Sequence, residues 1–138
     1  MKLTKLSLDT NVFVFGLRKI DSFAGTILQN LWQFDVKISV QVERELQKNL
    51  NAEEFRAFYA LVEMMPSFCV EYQPPTEELF LFYRQYGLKT GDAKIAAFCE
   101  QEAIEFFVSE NRHFLHEFSQ RTFTILDSQT FCRKFSLS

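Results

Sequence analysis

Leu6-Ser7-Leu8-Asp9-Thr10-Asn11-Val12-Phe13 begins as a short alternation of apolar and small residues and then turns abruptly polar, with an acid, a hydroxyl and an amide in succession. A strand that stops this sharply reads as a parallel strand buried on both faces. The carboxyl end of such a strand opens into the crevice where open α/β sheets collect ligands. Asp9 stands at that lip. An acid there handles a cation or a phosphate, or else bonds nearby backbone N–H groups in a strand-to-helix turn. The stretch alone leaves both readings open, and a second acid in a comparable setting, Asp92, favours the first.

Working outward, the apolar runs at 36–40, 68–72, 106–108 and 123–126 read as four further short strands. Between them, helical periodicity predicts helices over 22–32, 41–50, 52–65, 76–86, 91–103 and 112–118, with a final turn near 129–135. Phe13 to Leu17 reads as a long first connection. Strands alternating with one or two helices imply a mostly parallel sheet covered on both faces. Pro74-Pro75 is the one strong breaker, and it marks a connection rather than a domain boundary. The chain is expected to form a single domain over residues 1–138.

Composition narrows the function classes. Seventeen phenylalanines must fill much of the core, and their excess suggests a dimer face as well. Cys69, Cys99 and Cys132 stand far apart with no Cys-x-x-Cys pattern, so they read as buried thiols of a reducing compartment rather than a zinc or disulfide framework. The apolar run near the start is broken by Asp9 and fits neither a signal peptide nor a membrane span, so a cytoplasmic location with no membrane partner is expected. A net charge of −3 argues against a basic coat for nucleic acid. It does not exclude an enzyme acting on nucleic acid, because an acid cluster attracts phosphate once divalent cations are bound.

Asp92, Ala96, Cys99 and Ala103 are spaced four, three and four residues apart, which puts the acid at the N-terminal end of a small-residue stripe facing the sheet. The competing reading is a first-turn acid behind a Thr90 N-cap. Glu43 and Glu45 lie about 200° apart around their helix, so only one can serve a site, and helical geometry does not choose between them. Ser109-Glu110-Asn111-Arg112-His113-Phe114 again places polar groups at the carboxyl end of a strand, where Ser109 and Asn111 could equally cap a helix. His113 and His116 share a helix face, but without a third ligand they read as ordinary histidines.

Taken together, Leu8-Asp9-Thr10-Asn11-Val12, Ser39 followed by Glu45-Leu46, Gly91-Asp92-Ala93 opening a small-residue helix, and Val108 through Phe114 closely resemble a PIN domain of the VapC-like ribonuclease kind. The motifs keep the family's order across nearly the whole chain. The resemblance implies an α/β fold, a three-layer α/β/α sandwich with a central, mostly parallel five-stranded sheet. It also selects Glu45 over Glu43, because the family places its acid directly before a leucine, and leaves Glu43 as a solvated neighbour. At the family's fourth acidic position this chain has Asn111, an amide that brings no charge, so a second metal would be held more weakly.

What the resemblance implies is a metal-dependent endoribonuclease that hydrolyses RNA phosphodiester bonds to a 5′-phosphate and a 3′-hydroxyl. Asp9, Glu45 and Asp92 are then the catalytic acids, and with Asn111 they hold Mg²⁺ or Mn²⁺. Thr10, Asn11 and Ser109 are expected to orient these ligands. Arg18, Arg44, Lys94 and Arg112 are candidate phosphate contacts for substrate. The expected partners are RNA, an antitoxin protein of a toxin–antitoxin pair and a second copy of the chain. Two alternatives stand beside this. A haloacid-dehalogenase-like phosphatase needs a second acid where Asn11 stands, and a catalytically silent PIN fold would bind RNA or protein without cutting.

Overall fold

The computed structural model describes residues 2–116 and 121–138, excluding the side chain of His116. Five strands, β1 (Lys5–Leu8), β2 (Asp35–Ser39), β3 (Phe68–Glu71), β4 (Phe106–Val108) and β5 (Thr124–Leu126), form one sheet in the order β3-β2-β1-β4-β5. Every neighbouring pair is parallel. The described helices are α1 (Thr10–Leu17), α2 (Ser22–Gln29), α3 (Val40–Asn49), α4 (Ala52–Met64), α5 (Glu77–Arg84), α6 (Thr90–Gln101), α7 (Arg112–His116) and α8 (Ser128–Lys134). They cover both faces of the sheet in a three-layer α/β/α arrangement, as expected.

Strand order explains where a site can form. The chain moves outward from β1 to β2 and β3, then returns to the other side of β1 for β4 and β5, so the order reverses between β1 and β4. Open α/β sheets bind ligands at the carboxyl ends of the strands beside such a reversal. The register is fixed there: Leu8 pairs with Val108, and the Asp9 N–H donates to the Val108 carbonyl at 2.9 Å. Asp9 and Ser109 therefore emerge side by side.

Three boundaries differ from the sequence reading. Phe13 to Leu17 is not a connection but most of α1. Val12 and Phe13 are fully buried and Val14 and Gly16 nearly so, and a helix buried almost all round has no amphipathic period to betray it. Gly16 lets α1 and α2 touch, since a Cβ there would lie 2.6 Å from Leu28 Cδ1. At α6, Thr90 is the first helical residue rather than the cap, and Lys89 stands at the cap position without a side-chain bond. Ala96 and Cys99 are buried as the stripe predicts, but Ala103 lies beyond the helix, exposed, with φ of 55°. The predicted end of the helix over 112–118 lies outside the described residues.

The aromatic excess is largely accounted for inside the molecule. Phe13 packs edge-on against Phe58 at 5.2 Å and stacks with Phe68 on one side. Phe34, Phe106, Phe131 and Phe135 form a second cluster, and Phe107 joins Phe114 and Phe123 in a third. Among the described residues only Phe23 and Phe82 are counted as exposed, at 38% and 37%. Phenylalanine content is thus a property of this core first. Cys99 and Cys132 are buried thiols, whereas Cys69 is exposed on the edge strand β3. Among the described residues no helix is long and apolar enough to cross a membrane.

Candidate active site

Asp9 leaves β1 in extended conformation and becomes the N-cap of α1, yet it caps in an unusual way. One carboxylate oxygen, Oδ1, accepts from the adjacent Thr10 N–H at 2.8 Å; the other, Oδ2, accepts from the Ser109 hydroxyl at 2.6 Å across the β1–β4 junction. The side chain is almost wholly removed from water, with 5% of the residue exposed. Burial pushes its pKa up from 3.8 to about 6, aided by the negative charges of Glu45 and Asp92; the bonds from Ser109 and Thr10 pull the other way. No lysine or arginine among the described residues forms an ion pair with it.

Glu45 projects from the second turn of α3 toward the same place rather than to solvent. Its Oε1 accepts from the Thr10 hydroxyl at 2.6 Å and its Oε2 from the Gln41 amide at 3.0 Å. Thr10 thus touches both acids, Asp9 through its backbone and Glu45 through its hydroxyl. Gly91, at the start of α6, supplies the room: a Cβ there would lie 3.2 Å from both Glu45 Oε2 and Gln41 Nε2. Gln41 was not singled out from the sequence, although its spacing of four residues before Glu45 puts both on one helix face.

Asp92 follows in the first turn of α6 and is half-buried. Burial raises its pKa, the charge of Glu45 adds to the rise, and a hydrogen bond from Asn111 with the charges of His113 and Lys89 opposes it. Asn111 is therefore engaged twice, with its side chain on Asp92 and its Oδ1 accepting from the His113 N–H at 3.0 Å. Its backbone N–H donates to the Ser109 hydroxyl oxygen at 3.0 Å, completing a chain from Asp92 through Asn111 and Ser109 to Asp9. Asp9, Thr10, Asn11, Glu45, Asp92 and Asn111 line one open cleft of about 360 Å³.

Some expected partners take other positions. Asn11 Oδ1 accepts from the Glu110 N–H at 3.3 Å and so bonds the loop after β4 rather than Asp9. Glu43 is not a solvated neighbour, because the hydroxyls of Tyr59 and Tyr72 both donate to it. Arg18 reaches the cleft wall but is tied to Glu54 at 2.9 Å and to the Asn49 carbonyl, which joins α1 to the start of α4. Arg44 and Lys94 face a separate cleft on the far side of Gln41. Arg112 is exposed at the start of α7. Among the described residues, no three His, Cys, Asp or Glu side chains are drawn close enough to hold a metal ion as they stand.

A wholly buried carboxylate beside two further acids nonetheless fits a hard cation by its chemistry. Oxygen donors suit Mg²⁺ or Mn²⁺, and a bound ion would offset the burial and, to a lesser degree, the neighbouring acid charges that raise the pKa of Asp9. In comparisons with known proteins, the family model described as PIN domain matches residues 6–117. Solved structures similar to this chain include VapBC2 from Rickettsia felis bound to a promoter DNA fragment, 19% identical with a TM-score of 0.63, covering 90% of this chain and 98% of that one. PAE2754 from Pyrobaculum aerophilum is 16% identical with a TM-score of 0.63, covering 99% and 98%. VapBC-1 from nontypeable Haemophilus influenzae is 19% identical with a TM-score of 0.63, covering 91% and 99%. No curated protein sequence matches the chain.

Proposed function

The chain belongs to the PIN domain family, and from that premise we propose that it is a divalent-metal-dependent endoribonuclease, the toxin of a toxin–antitoxin pair. The observation that carries this reading is Asp9: a carboxylate buried at the reversal of the sheet, bonded by Ser109 and Thr10, and facing Glu45 and Asp92 instead of a cation. Such an arrangement destabilises the empty protein and suits a ligand of opposite charge. The similarity to VapBC2 and VapBC-1 supports an antitoxin partner. A second copy of the chain and a cytoplasmic location complete the proposal.

Asp9, Glu45 and Asp92 would hold Mg²⁺ or Mn²⁺. When bound, the ion supplies a water acidic enough to act near neutral pH and offsets charge on the phosphoryl oxygens. The chain's own residues do the rest. Ser109 and the Thr10 N–H fix both oxygens of Asp9, so its orientation is set before any ligand arrives. The Thr10 hydroxyl and Gln41 hold Glu45 toward the cleft, and Asn111 holds Asp92. Asn111, whose Oδ1 already accepts from the His113 N–H, adds no charge to the three acids.

The test is cleavage of end-labelled single-stranded RNA in Mg²⁺ or Mn²⁺ by the parent protein and by Asp9→Asn. The expected result is cutting by the parent with 5′-phosphate ends, and a loss of at least about a thousandfold in the variant. Equal cutting by both would overturn the assignment of Asp9. Binding of RNA without cutting by either would instead favour a catalytically silent module, the reading that the amide at Asn111 would then support.

A further inference from the structure

We propose that the cleft beside the acids, between α3, the Pro74-Pro75 connection and the N-terminal part of α6, is a subsite for an unpaired RNA base next to the phosphate that is cut. The proposal rests on the nuclease reading above, and it assigns to the cleft a role in choosing where RNA is held.

Four observations converge. The cleft is small, about 240 Å³, and is walled by Val40, Pro74, Pro75 and Phe80, so it offers a flat ring system an apolar slot. Arg44 and Lys94 also line the cleft, one from α3 and one from α6, and supply positive charge for the backbone of a strand. Glu77 is the single acid among its lining residues, against three in the neighbouring cleft. Finally, the two clefts share a partition. Gln41 lines this one while its amide donates to Glu45, which lines the other, and Gly91 lies so close to this pair that a Cβ there would stand 3.2 Å from both side chains. A strand whose phosphate reaches the acids therefore has an adjacent base within reach of the slot.

The combination is what single-stranded nucleic acid requires: a π-face to pack on and cations to follow the backbone. Phe80 is the packing surface, half-buried on α5, and Arg44 and Lys94 are the backbone contacts. This also explains why two of the four basic residues near the motifs face away from the acids. A cation beside Asp9 would compete for the place of the metal, whereas one in the adjoining cleft binds phosphate without doing so.

The test is fluorescence anisotropy with a fluorescein-labelled 12-nucleotide single-stranded RNA in Ca²⁺, with the strand checked to be intact on a gel after each titration, alongside an abasic oligomer of the same length. The parent is expected to bind the RNA at least tenfold more tightly than the abasic strand. Phe80→Ala and, as a variant in an exposed connection that fills the slot without disturbing the core, Gln73→Trp should each erase that difference. Lys94→Glu should weaken both probes. Equal binding of the two probes by the parent, or an undiminished difference in both folded variants, overturns the subsite; a slot that instead takes a side chain of a protein partner gives that result. Binding of Mn²⁺ by titration calorimetry, which involves no ring, reports on the acids separately. It should be unchanged in Gln73→Trp, and its absence from the parent would count against the nuclease reading while leaving the anisotropy result to stand.

Discussion

Asp9 and Asp127 occupy the same place in the fold and do opposite things. Each follows a parallel strand, β1 or β5, and each is the N-cap of the helix that comes next. Asp127 behaves as a cap should: its Oδ1 accepts from the Thr130 N–H three residues on, at 2.7 Å, and it remains partly open to water. Asp9 accepts only from the adjacent N–H of its helix, gives its other oxygen to Ser109 on β4, and is buried against two more acids. The difference is one of position in the sheet. β5 is an edge strand, whereas β1 lies in the middle, where the strand order reverses and a second strand end supplies Ser109. An aspartate at a strand end is thus a cap by default, and a site only where neighbouring elements aim further groups at it.

The largest effect expected from breaking this contrast is on activity. Asp9→Asn should abolish RNA cleavage as described above, while Asp127→Asn should leave the rate within about twofold, since an amide caps a helix nearly as well as an acid. Comparable losses in both would show that the strand ends are equivalent. Next in size is Thr10→Val, which removes the hydroxyl from Glu45 but keeps the backbone bond to Asp9. A loss of about 10- to 100-fold in Mn²⁺ affinity or cleavage rate is expected, with little change in melting temperature.

A smaller effect concerns stability in EDTA. The folded pKa of Asp9, about 6, lies above its ordinary 3.8. This group therefore favours the folded state below the lower value, and that contribution is lost as pH rises through the higher one. The full span is worth about 3 kcal/mol at neutral pH. Asp9→Asn escapes that loss but forfeits one of two hydrogen bonds, worth about 1 kcal/mol. At pH 7 the variant should accordingly be more stable than the parent by roughly 2 kcal/mol in denaturant unfolding, with the advantage gone near pH 4. Asp127→Ala should instead lose about 1 kcal/mol at pH 7, the ordinary cost of a missing cap. A destabilised Asp9→Asn at neutral pH would show that the carboxylate contributes to folding, not to a ligand site.

Most of the sheet was legible because each strand is a short apolar run bounded by polar residues, and Asp9 stands out because it follows directly where the first of those runs stops. Helix α1 was hidden by its own burial: with Val12, Val14 and the two flanking aromatic rings all apolar, neither period 3.6 nor period 2 stands out. The choice between Glu43 and Glu45 could not come from helical geometry, since each lies at one edge of the buried stripe. It depends on what the other elements offer, Thr10 and Gln41 to one and Tyr59 with Tyr72 to the other. The same holds for Asn111, which follows β4 and acts on Asp92 of α6 across a separation in sequence that no local pattern encodes.

Whether Asp9, unlike Asp127, belongs to a cation site can be read without RNA, by titration calorimetry with Mn²⁺. Saturable binding is expected for the parent, with that binding lost in Asp9→Asn despite its greater stability without metal and unchanged in Asp127→Asn. Equal Mn²⁺ affinity in the parent and Asp9→Asn would contradict a cation site at Asp9.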